Sequence, residues 1–308
     1  TITPSMLSIC IGIYNWDVNL LVRELHRQAV EEAIDFEILL IDDASTFYKD
    51  INSQLTELSH VTYIENKKNL GRSAIRNLLV EKSKFPYLLF MDCDTEVISN
   101  QYIKNYCREL SQHAVISGGY AYSPEPPPYF YRLRWHYGRK VEVKSASERN
   151  KNPNFSFSTF NFVIKRSIFD HLHFDETVQG YGHEDTLFGW ALQQQGFTVY
   201  HVENPLLHKV EIKTSQFIKQ TEQAIRNLVS IYQNIEKKEE WIKSISLLKF
   251  VVKIKKLQLA TPFRLFFWIT KPFFKFFLQF CYPSLLLFNF YKAGYLIQHI
   301  KKNKICLR

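Results

Sequence analysis

Short apolar runs alternate with segments of helical periodicity along the first hundred residues. Unbroken apolar runs of strand length predict buried strands at Met6–Ile13, Phe36–Ile41, Val61–Ile64 and Tyr87–Met91. Apolar residues at helical spacing predict a helix over Val18–Glu32, and a second helix is expected over Arg72–Lys82. Strands joined through helices by short connections form right-handed βαβ units. The pattern therefore predicts an α/β fold with a mostly parallel sheet flanked by helices.

Polar residues follow three of these strands, after Ile13, Ile41 and Met91. Since the carboxyl ends of parallel strands meet at one edge, Asp43, Asp92 and Asp94 are expected to line one pocket. The Asp-x-Asp spacing of the last two suits Mg²⁺, which binds one or two carboxylates together with phosphate oxygens. A solvated turn or a helix cap is the alternative for each Asp taken alone.

A second acidic site precedes an apolar helix. Gly180 and Gly182 stand just before Glu184 and Asp185, and glycine lets the backbone approach a ligand closely. The helix dipole stabilises carboxylates at this position, so simple capping is the alternative. A carboxylate placed in a pocket can also act as a general base.

The middle of the chain is less regular. Ser123–Pro128 reads as a stiff proline-rich connector. The basic and aromatic segment 132–151 is interpreted either as a mobile loop over the substrate or as a solvated basic helix. Further strands are expected at Phe155–Lys165 and Phe197–His201. Ser215–Trp241 is expected to be a polar helix.

The basic character of the chain lies in its C-terminal part. The net charge is +9, but Trp241–Arg308 contains thirteen Lys or Arg and no acidic residue, so the first 240 residues carry −4. The longest charge-free run there, Phe276–Tyr291, has sixteen residues and contains Pro283, whereas a spanning helix needs about 20 apolar residues. Lys and Arg interleaved with Phe and Trp favour helices in an anionic membrane interface. A packed helical subdomain is the alternative, and no nucleic-acid-binding motif is found.

Five cysteines without a CxxC spacing indicate reduced cytosolic thiols, not a disulfide framework or a zinc site. Thr1–Ser5 is too short and polar for a secretory signal. We therefore expect a cytoplasmic protein, peripheral on the cytoplasmic face of the inner membrane.

Five motifs, in this order and at these spacings, resemble the family 2 glycosyltransferases of GT-A fold. They are SICIGIYN, ILLIDDAST, NLGRSAIRN, FMDCDTEV and GYGHEDTLFGWAL. The resemblance runs from about Met6 to about Val210. It implies a catalytic domain over 1–212, with a nucleotide-sugar half at about 6–120 and an acceptor half at 121–212. Residues 213–308 are expected to form a helical C-terminal region, membrane-interfacial from about 242.

The resemblance also implies roles for individual residues. Asp43 would accept a ring N–H of the nucleobase, and Tyr14 and Asn15 would flank the base. Arg72 would lie near the nucleotide. For Arg72, the alternative is a solvated helix residue. Asp92 would lie near the ribose. Asp94 would bind the metal, and His208 matches a metal-proximal histidine, which would favour Mn²⁺ over Mg²⁺.

The expected function is metal-dependent, inverting transfer of one sugar from a nucleotide sugar to a hydroxyl of a glycan or lipid-linked acceptor in bacterial surface polysaccharide assembly. A UDP-sugar is favoured and a GDP-sugar remains open. Asp185 is assigned as general base and Glu184 as its partner in orienting the acceptor, with an exchange of these two roles as the alternative. The alternatives are a silent membrane-associated scaffold and a sugar nucleotidyltransferase, although the latter normally has a Gly-rich loop after the first strand.

Overall fold

A computed structural model describes residues 6–210 and 212–302; Thr1–Ser5 and Cys306, considered above, lie outside the described residues. Within this part of the chain, one sheet is formed by β1 (Met6–Ile13), β2 (Asp35–Asp42), β3 (Val61–Glu65), β4 (Tyr87–Asp92), β6 (Val115–Ser117), β8 (Asn161–Lys165) and β9 (Tyr200–His201). A small sheet is formed by β5 (Thr95–Val97), β7 (Tyr120–Ala121) and β10 (Leu206–His208).

The large sheet has the order β3-β2-β1-β4-β8-β6-β9. Strands β1 to β4 are mutually parallel where they pair, and β8 is antiparallel to both β4 and β6. The predicted mostly parallel α/β sheet is therefore confirmed.

Helices flank this sheet and continue to the C-terminal part. The helices of the first two-thirds are α1 (Asn19–Glu31), α2 (Lys49–Ser53), α3 (Arg72–Lys82), α4 (Tyr102–Cys107), α5 (Arg132–Tyr137), α6 (Ala146–Arg149) and α7 (Glu184–Gln194). Those that follow are α8 (Thr214–Asn234), α9 (Lys238–Ser244), α10 (Ser246–Lys256), α11 (Ala260–Phe280) and α12 (Leu285–Lys302). The C-terminal region is thus helical, as predicted.

Successive side chains along each strand point to opposite faces of the sheet and fill two separate cores. Leu7 and Ile9 of β1 pack with α1 and α4 on one face, while Cys10 of β1 and Leu39 of β2 pack with α3 and α7 on the other. Both faces of the sheet are covered by helices, which explains why its strands read as unbroken apolar runs.

The chain forms two compact units. One contains residues up to Ser123 together with Val141–Gln179 and Glu184–Lys209, and so holds both sheets. The other contains Pro124–Lys140, Gly180–His183 and the chain from Val210 onward. None of the described helices combines the length and the apolar composition needed to cross a bilayer.

Three predicted elements differ from the structure. The strand predicted at Phe155–Lys165 begins only at Asn161, because Asn154–Ser156 is a 3₁₀ turn held by the Asn154 side chain, which donates to carbonyls of Gly189 and Phe197. The strand predicted at Phe197–His201 is reduced to β9. The single helix predicted at Ser215–Trp241 is interrupted between α8 and α9.

Asn161, the first residue of β8, connects this strand to helix α4 and to neighbouring loops through its side chain. Its side-chain oxygen accepts the hydroxyls of Tyr102, at 2.7 Å, and Tyr106, at 2.6 Å. Its amide nitrogen donates to the carbonyls of Gly119, at 3.1 Å, and Asn204, at 2.9 Å. A buried amide that satisfies four polar partners fixes these segments against one another.

Replacing Asn161 by Ala is expected to lower the free energy of unfolding by about 3 kcal/mol, since it leaves buried hydroxyls and carbonyls without partners. Tyr106→Phe removes one hydroxyl from the same cluster and should cost about 1 kcal/mol. Urea unfolding of both variants measures the difference. Equal unfolding midpoints for Asn161→Ala and the unsubstituted protein would contradict this role.

Candidate active site

Three parallel strands bring their polar ends to one edge of the large sheet. In the register of β1, Ile13 pairs with Asp42 of β2 and Gly12 pairs with Asp92 of β4. The residues that directly follow β1 and β2, Tyr14 and Asp43, therefore lie at the same edge as Asp92. This is the convergence that the strand pattern predicted.

Tyr14 and Asn15 form the loop after β1. Tyr14 is exposed, with 54% of its surface accessible. The Asn15 side-chain oxygen accepts the N–H groups of Thr46, at 2.7 Å, and Phe47, at 3.1 Å, and the Asn15 N–H donates to the Ser45 hydroxyl. Asn15 thus ties the loop after β1 to the loop after β2 and leaves the Tyr14 ring available at the edge.

Asp43 is buried and is held by a turn that precedes α3. One carboxylate oxygen accepts the N–H of Leu70 at 2.8 Å, and the other accepts the N–H of Gly71 at 3.0 Å. Asn66 donates to the first oxygen at 3.3 Å. Gly71 has φ +85°, a conformation that glycine adopts at no steric cost. These donors compensate the buried charge and fix the direction of the carboxylate.

Arg76 of α3 lies between carboxylates from two different elements. One of its nitrogens is 3.0 Å from Asp92 at the end of β4, and another is 3.6 Å from Glu184 at the start of α7. Arg72, one helical turn earlier, approaches Glu184 at 3.5 Å and is more exposed. Arg76 was not among the residues assigned to the site from the sequence. The i, i+4 spacing, which places both arginines on one face of the helix, was the available signal.

Asp185 follows Glu184 in the first turn of α7. Burial, together with the neighbouring Glu184 carboxylate, raises the pKa of Asp185 to about 7, and Arg76 partly opposes this. One oxygen of Asp185 accepts the backbone N–H of Thr186 at 2.6 Å and its hydroxyl at 3.2 Å. A carboxyl with a pKa near neutrality can accept and release a proton under ordinary conditions.

The small sheet places His208 beside Asp94. Asp94 directly precedes β5, and His208 at the end of β10 pairs with Thr95, the first residue of β5. The Nε2 atom of His208 is 3.2 Å from the Asp94 carboxylate. The imidazole lies edge-on to the rings of Tyr122 and Phe160, each with its centroid at 5.3 Å. Strand pairing therefore joins the two predicted metal ligands, which are more than a hundred residues apart in sequence.

Asp94 and His208 are the donors available for a divalent ion at this point. No group of three or more His, Cys, Asp or Glu suited to a metal occurs among residues 6–210 and 212–302. A carboxylate oxygen and an imidazole nitrogen fit an ion that completes its coordination with phosphate oxygens and water, as Mg²⁺ and Mn²⁺ do with nucleotides. They do not form the closed cage of a structural metal.

Tyr120 also belongs to this region, although the sequence did not single it out. Burial raises the pKa of its phenol well above the ordinary value, and the carboxylates of Glu142, Asp185 and Asp92 add to this. Its hydroxyl bonds to Ser158. No simple sequence pattern marks this tyrosine, because it lies in a two-residue strand.

Cys93, between the two aspartates, remains a thiol. Burial raises its pKa to about 12, and Asp94 contributes. It is therefore a small, partly buried thiol.

Two neighbouring residues make packing contacts that the sequence did not predict. Arg149 in the basic segment is neither solvated nor part of a mobile loop, because it is buried and donates to the carbonyls of Lys144, Gly118 and Val202. Within the second unit, Gly182 has φ +94° and a Cβ there would lie 2.5 Å from the Cβ of Ala224. The close approach that this glycine permits is to helix α8.

Comparison with known proteins identifies related sequences. The family model described as Glycosyl transferase family 2 matches residues 8–173, more than half of the chain. Glycosyltransferase GlyA of Streptococcus pneumoniae is 26% identical over 181 residues, covering 55% of this chain and 26% of GlyA. WcaA of Escherichia coli, named for colanic acid biosynthesis, is 26% identical over 98 residues, covering 31% of this chain and 35% of WcaA. Among these and similar curated glycosyltransferases, the matched segment covers 14% to 48% of the relative's own length, which is less than half of each.

Solved structures share the fold at low sequence identity. Mannosyltransferase PcManGT of Pyrobaculum calidifontis, in complex with GDP-Man and Mn²⁺, has a TM-score of 0.56 at 12% identity, covering 97% of this chain and 86% of that one. S. aureus TarS 1–349 in complex with UDP has a TM-score of 0.51 at 13% identity, covering 99% and 93%. These likenesses confirm the predicted GT-A fold.

Replacing Arg76 by Met is expected to lower the free energy of unfolding by about 3 kcal/mol, because it leaves the Asp92 and Glu184 carboxylates without their shared cation. Arg72→Met is the matched control on the same helix face. Its ion pair with Glu184 is longer than the pair between Arg76 and Asp92, and its side chain is more exposed, so about 1 kcal/mol or less is expected. Thermal or urea unfolding compares the two. A larger loss for Arg72→Met would contradict the central position of Arg76.

Proposed function

The chain belongs to glycosyl transferase family 2, as its motifs predicted, and from this premise we propose that it transfers a single sugar, with inversion, from a nucleotide sugar to a hydroxyl group. A UDP-sugar is the favoured donor. The proposed acceptor is a glycan or a lipid-linked sugar in bacterial surface polysaccharide assembly, and the relation to WcaA supports this setting. The transferase class follows from the family.

The observation that carries this proposal is the ion-pair network centred on Arg76. It joins Asp92, at the edge proposed to hold the nucleotide, to Glu184, the neighbour of the proposed base. A donor bound at the edge and a base on α7 are thus linked through one guanidinium. Such an arrangement suits a direct displacement, in which the acceptor and the leaving group must lie on opposite sides of the anomeric carbon.

The donor side is formed by Tyr14, Asn15, Asp43 and Asp92. The Tyr14 ring offers an exposed surface on which a base can stack. Each carboxylate oxygen of Asp43 can accept more than one hydrogen bond, so a ring N–H of uracil can be added to those from Leu70 and Gly71. Guanine presents a comparable N–H, and the fold is shared with one protein in complex with UDP and another with GDP-Man. Arg72 supplies positive charge beside the nucleotide.

The proposed chemistry is carried by Asp185. One of its oxygens is engaged by Thr186, so the other oxygen is the atom we propose accepts the proton of the acceptor hydroxyl. As that proton moves to Asp185, the acceptor oxygen bonds to the anomeric carbon. The bond from this carbon to the diphosphate breaks, and the nucleoside diphosphate leaves with the electron pair. Glu184 orients the acceptor.

Asp94 and His208 are the residues proposed to hold a divalent cation, Mn²⁺ or Mg²⁺. When bound there with the diphosphate, such an ion compensates negative charge on the leaving group. Because only two protein side chains would bind the ion, the affinity of the protein for the ion is expected to depend on the bound nucleotide. The proposal thus treats the metal as part of the donor complex.

Replacing Asp185 by Asn is expected to reduce turnover by about 10² to 10⁴-fold, because an amide cannot accept the proton. The affinity for UDP should not change. Nucleoside diphosphate release from a panel of UDP- and GDP-sugars, with water as acceptor, measures turnover, and calorimetry with UDP measures binding. Asp170→Asn, an exposed carboxylate in the same unit, is the control. Normal turnover of the Asp185 variant would exclude this residue as the base.

The pH dependence should follow from the raised pKa of Asp185. Below about pH 7 the carboxyl is protonated and cannot act as a base, so turnover should fall as the pH decreases through this value. Above it the rate should reach a plateau until another group titrates. Turnover that stays constant between pH 5 and pH 8, a range of about three units around a neutral pKa, would contradict the assignment.

His208→Ala is expected to weaken UDP binding about tenfold or more in the presence of Mn²⁺, and to leave binding in EDTA unchanged, because one of two protein donors to the ion is removed. Calorimetric titration with UDP under both conditions measures this. His173→Ala, an exposed histidine of the same unit, is the control. Equal affinity of the wild type for UDP with and without Mn²⁺ would contradict the metal site.

Activity assays, together with these titrations, separate the alternatives. A scaffold without turnover would bind UDP or GDP but release no nucleoside diphosphate from any donor. A sugar nucleotidyltransferase would form a nucleotide sugar and pyrophosphate from a sugar phosphate and a nucleoside triphosphate. Either outcome would replace the proposed transferase reaction.

A further inference from the structure

Helix α11 in the second unit exposes a continuous apolar surface, here called the outward face of α11. Its most exposed large side chains are Trp268, Ile269 and Phe273, with 69%, 62% and 61% of their surface accessible. The complete face consists of Leu265, Phe266, Trp268, Ile269, Phe273, Phe276 and Phe280. Within α11, all of whose residues are described, Thr261 is the one polar residue in the exposed class.

These side chains share one side of the helix. A residue advances about 100° around an α-helix, so positions 265, 269, 273, 276 and 280 fall within about a quarter turn of one another. Phe266 and Trp268 widen this surface at its two margins. A large exposed apolar surface of this kind marks a contact site for a partner or a membrane.

The opposite side of α11 is used for packing within the second unit. Phe267, Phe274 and Leu278 are buried there. Lys271 and Lys275 also turn to this side, where they lie 3.7 Å and 2.9 Å from the carboxylate of Glu222 on α8. The helix therefore directs two of its charges inward and presents uncharged side chains outward, the reverse of an ordinary surface helix.

The chain segment that contains α11 is rich in positive charge and has no acidic residue. The preceding helix α10 exposes Lys249, Lys253 and Lys256. Trp241–Arg308 contains thirteen Lys or Arg and no Asp or Glu. An apolar helix face in a basic segment complements a surface that offers hydrocarbon and negative headgroups together.

We propose that the outward face of α11 inserts into the interface of an anionic lipid bilayer, with α10 contributing lysines at the headgroups. Trp268 is placed at one margin of the face, where an indole can lie between hydrocarbon and headgroups. The helix lies in the plane of the interface, as helices with one apolar side do. The basic residues add electrostatic attraction to acidic lipids. This docking is independent of the reaction proposed above.

Binding to lipid vesicles tests the proposal with two matched triple variants. The first replaces Leu265, Ile269 and Phe276 by Ser in the full chain. The control replaces the same three residue types at exposed positions of the first unit, Leu20, Ile98 and Phe47, by Ser. Sedimentation with vesicles of phosphatidylcholine containing about one-third phosphatidylglycerol, and with pure phosphatidylcholine, measures binding.

The unsubstituted protein and the control are expected to bind the anionic vesicles, and the α11 variant to bind them about tenfold or more weakly. Binding to pure phosphatidylcholine should be weaker for every protein. Acyl chains labelled with bromine should quench tryptophan fluorescence of the unsubstituted protein. Trp268→Phe should remove most of this quenching, because Trp16, Trp135, Trp190 and Trp241 are less exposed.

Three outcomes would overturn the proposal. Vesicle binding of the α11 variant equal to that of the unsubstituted protein would place the contact elsewhere. The unsubstituted protein could fail to bind either vesicle. Finally, light scattering could show a dimer that the α11 substitutions convert to a monomer without any vesicle binding, which would make this face a contact between two copies of the chain.

Discussion

The structure of the first unit depends on compensating the negative charge gathered at one edge of its sheet. Parallel strands place Asp43 and Asp92 at this edge, and α7 brings Glu184 and Asp185. Carboxylates this close repel one another unless positive groups or N–H donors lie among them. The fold supplies Arg76, whose guanidinium is shared between two elements, and backbone amides for Asp43. These compensating groups therefore hold the ends of β2, β4 and α7 together.

The pKa of Asp185 shows where this compensation is incomplete. Arg76 contacts Glu184 and Asp92, while Asp185 is bonded to Thr186. Burial and the neighbouring carboxylate therefore dominate for Asp185 and raise its pKa to about 7. A carboxyl that titrates near neutral pH meets the condition for the base proposed at Asp185.

Local patterns in the sequence predicted the strands and helices of the first half of the chain well. The bounds of β1 and α3 agree with the predicted ones, because an unbroken apolar run and a helical period are both properties of contiguous residues. The neighbourhood of Asp94 and His208 was predicted only through the family resemblance, since it depends on pairing of β5 with β10 across a long sequence separation. The role of Gly182 and the burial of Arg149 depend on neighbours that no local pattern names.

The turn that holds Asp43 has a consequence for mutational tolerance. Its donors are the backbone N–H groups of Leu70 and Gly71, so the contacts do not depend on the side chain at position 70. At position 70, any residue except proline keeps the backbone N–H. At position 71, the positive φ favours glycine over other residues. The edge of the sheet can therefore keep the orientation of this carboxylate with any side chain other than proline at position 70, whereas substitution at position 71 would disturb it.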